Sequence, residues 1–86
     1  MMLYQEKFPV GTTVRIAGLP ELERFRSEWR FHHPLEANQL GFAGRSTAVA
    51  TVGFYHGGDV LYTLDGIPGI WHECCVHAAD DSTRTP

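Results

Sequence analysis

Positive charge is scarce in this 86-residue chain: seven Lys and Arg stand against ten Asp and Glu, a net charge of −3. Nucleic acid is drawn in by concentrated basic surface, and here the arginines are scattered among carboxylates, so a nucleic-acid partner is not expected. Long apolar runs are missing too. No window approaches the roughly 20 apolar residues of a membrane span, and Met1-Met2-Leu3-Tyr4-Gln5-Glu6-Lys7 has neither the basic start nor the apolar stretch of a secretory signal. The expected setting is therefore a soluble, cytoplasmic protein with no membrane partner. Cysteine is limited to Cys74 and Cys75, and bonding sequence neighbours requires a strained ring, which excludes a disulfide framework and fits reduced thiols. The short length excludes two separate cores, since such a chain buries only roughly 60–65% of its unfolded surface. A hydrophobic content of 43% with 12% aromatic residues suffices for one.

The expected organisation is a single domain over residues 1–78 and a flexible tail over 79–86, where no large apolar side chain can dock. Val14 and Ile16 alternate with Thr13 and Arg15, which predicts a half-buried first strand. Pro20 suits a first helical turn, and Leu22, Phe25 and Trp29 form one apolar stripe on a helix from Pro20 to about Arg30. Pro34 biases His33 away from helical dihedrals, so Phe31-His32-His33-Pro34 is expected as extended chain, followed by a loop over Leu35 to Phe42. Ser46 to Tyr55 reads as a strand with a bulge or bend at Gly53. His56-Gly57-Gly58-Asp59 is a turn and Val60 to Leu64 returns antiparallel. Asp65-Gly66 turns again, Pro68-Gly69 leaves a brief strand at Ile70-Trp71, and a 3₁₀ turn over His72 to Cys75 precedes Val76-His77-Ala78.

This order of short strands predicts a mainly β fold: about five antiparallel strands with one short helix inserted after the first. Val10-Gly11-Thr12-Thr13-Val14-Arg15-Ile16, Gly44-Arg45 before Val49 and Val52, Leu61-Tyr62-Thr63-Leu64 and Ile70-Trp71 carry a resemblance to the SH3-like small barrel. More narrowly, Gly44-Arg45, Leu61-Tyr62-Thr63-Leu64 and Trp71 resemble the barrel of the nitrile hydratase β subunit and its accessory proteins. His32-His33-Pro34 ahead of the second strand is similar to a loop in the variable chain of ferredoxin–thioredoxin reductase. These resemblances imply a chain that partners another, catalytic polypeptide. The expected function is thus a non-catalytic interaction module or accessory subunit, with no cofactor and possible homo-oligomer formation.

Which residues would do this is a matter of alternation. Phe54 and Tyr55 point to opposite faces of their strand, so both cannot be inside. Tyr55, His56, Tyr62, Trp71 and His72 form the candidate contact surface. The one dense polar cluster, His72-Glu73-Cys74-Cys75-Val76-His77, supports an alternative: Cys74, Cys75, His72 and His77 are soft and imidazole donors suited to zinc or copper in a metal-delivery protein. His56, or His32 with His33, could complete such a set. Against it stands the ordinary fate of one cysteine as a small buried hydrophobe. A further alternative is a small enzyme completed only in an oligomer, as in the type II dihydrofolate reductases of the same barrel class. Their Val-Gln-Ile-Tyr strand is not reproduced by Gly69-Ile70-Trp71-His72.

Overall fold

A computed structural model describes residues 5–56 and 58–79. The chain is mainly β. Strands β1 (Thr13–Ile16), β2 (Ser46–Tyr55), β3 (Asp59–Leu64), β4 (Ile67–His72) and β5 (Val76–Ala78) form one antiparallel sheet in the order β4-β3-β2-β1-β5. Helix α1 (Leu19–Glu28) follows β1, a 3₁₀ helix spans Ala37–Phe42, and a 3₁₀ turn at Glu73–Cys75 joins β4 to β5. The expected tail lies, beyond Ala79, outside the described residues, as does Gly57 of the hairpin turn.

The alternation in β1 does what the period predicts: Val14 and Ile16 are buried and Thr13 is exposed. They join Val49, Tyr62, Leu64, Trp71, Cys75 and Val76 in one core. Leu22 brings α1 into that core, with Phe25 partly buried against it. The helix is shorter than expected because Trp29 is extended (ψ 122°) and its N–H closes the last turn on the Phe25 carbonyl.

Four local expectations are corrected. The irregularity in β2 falls between Val49 and Thr51, whereas Gly53 pairs in register with Leu61. The physical reason is a change of partners: β2 pairs through Ser46, Thr47 and Ala48 with β1 and from Val49 onward with β3, and a bulge supplies the added twist at the changeover. Strand β4 runs six residues through Pro68 and Gly69 because it is an edge strand, where a missing N–H costs little. The expected loop over Leu35 to Phe42 contains a 3₁₀ helix with a reciprocal capping box between Glu36 and Gln39. Finally, His33 is not extended but left-handed, with φ 50°.

Gly69 also has a left-handed φ, 99°, and a Cβ there would lie 2.7 Å from Gln39 Nε2. That nitrogen cannot easily retreat, since it donates to the Ile70 carbonyl at 3.1 Å while Gln39 Oε1 accepts the Glu36 N–H at 2.7 Å. Gly69→Ala is therefore expected to cost about 2 kcal/mol. Urea denaturation reads this directly, and an unchanged midpoint would contradict it.

Candidate functional site

The five residues of the expected contact surface separate into two groups. Tyr62 and Trp71 are 0% exposed; they pair across β3 and β4 on the inward side of the sheet, so neither can meet a partner. His72 is buried as well. Tyr55 and His56, at the hairpin end, remain exposed. The correction follows from register: Tyr62 shares its side of β3 with buried Val60 and Leu64.

The four expected metal donors are distributed among different partners. Cys75 is buried and Cys74 exposed. The neighbouring Cys75 thiol lowers the Cys74 thiol to about 7, and the same interaction together with burial pushes Cys75 up. His77 Nε2 lies 3.2 Å from Glu21 Oε2 on α1, and His72 Nε2 donates to the His33 carbonyl at 3.0 Å. Among the described residues no three His, Cys, Asp or Glu side chains form a group that could hold a metal ion.

What the fold does assemble is a cluster of imidazoles on an aromatic support. As the chain leaves α1, the Trp29 indole N–H donates to the His32 carbonyl at 2.6 Å, and Arg26 Nε donates to the Leu35 carbonyl at 3.2 Å. With the bond from His72 to His33, these hold the short crossing of residues 32–35 against the sheet. They also sustain the left-handed His33, a conformation that costs roughly 1–2 kcal/mol for a residue with a Cβ. His32 stacks on Tyr55 with ring centroids 3.7 Å apart. Its Nε2 lies 2.7 Å from Asp59 Oδ2, and its Nδ1 lies 2.8 Å from His33 Nδ1. Beneath, His72 packs on Phe25 and Trp29 at 4.9 and 4.8 Å, and its ring is 5.3 Å from that of His32. Trp29 in turn meets Phe31 edge-on at 5.0 Å.

In the sequence pattern His32 and His33 belong to an extended His-His-Pro segment that could complete a metal set, and Asp59 belongs to a turn. Asp59 is instead the first residue of β3, paired with Tyr55. No local pattern connects it to His32, 27 residues away.

Burial lowers the pKa of His72 from its usual 6.5, the largest of several influences that include the His32 charge. The folded chain thus keeps this ring neutral where the unfolded chain protonates it. Stability held above pH 6.5 is lost as the pH falls below that value. Thermal melts between about pH 7 and pH 5 are expected to show this slope and to lose part of it in His72→Asn. An identical slope in the variant would show that the ring contributes none of it.

Set against protein-family models, curated proteins and solved structures, the chain matches none of them.

Proposed function

We propose that the chain is an SH3-like small barrel acting as an interaction module or accessory subunit for another polypeptide. Three features support the barrel: β1 lies between β5 and β2, β2 divides its pairing between β1 and β3 at a bulge, and a 3₁₀ turn links β4 to β5. A bulged strand shared in this way can curl a sheet toward closure.

One observation carries the contact role. Phe31, Trp29, His32, Tyr55 and His56 form an unbroken ridge of rings, with successive centroids 5.0, 5.4, 3.7 and 5.1 Å apart. Its outermost ring, Phe31, is 71% exposed. A large exposed aromatic backed by ordered rings is a preformed platform and costs little entropy to use. The occupant suited to it is an extended, proline-containing segment of a second protein, which is itself already stiff.

The test places a photo-crosslinking amino acid at Phe31 in cells and, as a control, at exposed Val10. A chain captured at Phe31 alone is then purified and titrated against the protein. Binding weakened by about tenfold or more in Phe31→Ala and Tyr55→Ala supports the reading. Capture that is equal at both positions, or binding unaffected by either substitution, refutes it.

A further inference from the structure

The rings of His32, His33 and His72 close a triangle, with centroids 5.1, 5.3 and 6.4 Å apart. Little negative charge faces it. Asp59 lies against His32, and among the described residues neither His33 nor His72 has a carboxylate in ion-pair contact. The surrounding elements do not make up the difference. Helix α1 presents Phe25 and Trp29 and commits Arg26 Nε to the Leu35 carbonyl. Strand β2 presents Tyr55, with the ring of His56 beside it. Glu36 shares the wall of a cavity with His33, where its carboxylate accepts the Gln39 N–H. The charges that bear on His72 are those of His32 and Asp59.

The contact between His32 and His33 sets a limit on hydrogen. Their Nδ1 atoms are 2.8 Å apart and the ring centroids 5.1 Å, a difference of two ring radii, so the nitrogens face each other head-on. One hydrogen fits between them. The two rings together carry two N–H hydrogens when both are neutral and three when either is cationic. A fourth puts hydrogen on both facing nitrogens and breaks the contact, whichever ring charges first. The first charge has a place, on His32 against the Asp59 carboxylate. A second has none: on His33 it breaks the contact, and on His72 it meets the His32 charge across the triangle.

The crossing of residues 32–35 is the element able to yield. Single hydrogen bonds from Trp29, His72 and Arg26 hold its carbonyls, and no strand pairing passes through it. The left-handed His33 relaxes once its ring is released. We propose that the cluster is an acid-operated latch: with one positive charge it holds this crossing on the sheet, and a second charge expels the His33 ring and opens it. Phe31, at the head of the crossing, then loses its ordered backing, and a chain docked there is released. That last consequence rests on the contact-surface reading, whereas the opening does not.

The two tryptophans supply the test. The indole N–H of Trp29, bonded to the His32 carbonyl at 2.6 Å, reports the crossing, and that of Trp71, bonded to the Pro68 carbonyl at 3.3 Å in the core, reports the sheet. Their hydrogen exchange in the full chain is followed by NMR from about pH 7.5 to about pH 4.5, across the range where imidazoles titrate. Each rate is compared with that of free indole at the same pH. Protection of Trp29 is expected to fall about tenfold or more in acid while Trp71 keeps its own. His33→Asn takes up no proton at that position and tolerates the left-handed backbone, so its Trp29 should stay protected. Trp29 protection that persists in the acid wild type, or that falls only together with that of Trp71, overturns the latch even if the variant does not fold. So does an equal loss in His33→Asn.

Discussion

Trp71→Ala is expected to remove most of the stability of this protein. Trp71 is fully buried at the centre of the core, facing Tyr62 across β3 and β4, and its indole N–H donates to the Pro68 carbonyl at 3.3 Å. Deleting a ring of this size from a packed interior costs about 3–5 kcal/mol, against a total of about 5–15 kcal/mol for a typical domain. Small domains lie toward the low end, because they bury a smaller share of their surface. At about 4–8 °C per kcal/mol, the melting temperature should fall by roughly 12–40 °C. Circular dichroism during heating measures it. A fall of only a few degrees would mean that the neighbouring side chains collapse into the space, and that the core is not organised around this ring.

The second large effect concerns the segment before β1. The Tyr62 hydroxyl accepts the backbone N–H groups of Phe8 and Lys7 at 3.1 and 3.2 Å, and it donates to Glu73 Oε2 at 2.6 Å. That same carboxylate oxygen accepts the Lys7 N–H at 2.8 Å. One phenol thus ties the incoming chain, β3 and the 3₁₀ turn before β5 together. Tyr62→Phe keeps the ring but leaves the buried Phe8 N–H without its acceptor, at an expected cost of about 1–3 kcal/mol. Hydrogen exchange at Lys7 and Phe8 should quicken far more than exchange in β3.

The pH dependence of this tie has a definite sign. Burial first, then the bond to Glu73, pushes the Tyr62 phenol well above its usual value of 10.0. The unfolded chain ionises near that value while the folded chain stays protonated, so the stabilisation is complete below it and is lost as the pH rises above. Tyr62→Phe should remove this alkaline slope. A variant with the same slope and the same exchange at Lys7 and Phe8 would contradict the tie.

The parts of the fold that depend on neighbours in sequence were legible. Alternation marks β1, β-branched and aromatic content marks β2, the glycine turn before Val60 marks β3, and Asp65-Gly66 marks the turn that pairs Leu64 with Ile67. The stripe of Leu22 and Phe25 gave the face of α1 that meets the core. The 3₁₀ helix at Ala37–Phe42 has a local signal, Glu36 and Gln39 at capping-box spacing, without the Ser or Thr that usually opens such a box. Pro68 misled for a different reason: proline ends a central strand but is tolerated at an edge, and whether a strand is central depends on the whole sheet. The imidazole cluster lies at the far limit of legibility. His32 meets Asp59 across 27 residues and His33 meets His72 across 39, so no spacing rule joins them. The positive φ of His33 was equally hidden, because it is sustained by the bonds that reach that crossing from Trp29 and His72.

The composition of β4 bears on how copies of this protein behave when crowded. An outermost strand is ordinarily a template on which another molecule can build, one backbone group at a time. Here Pro68 deletes a donor from that row, and the side chain of Gln39 already occupies the Ile70 carbonyl. A second copy arriving at this border finds an interrupted ladder, so growth into fibrils by strand addition there is discouraged.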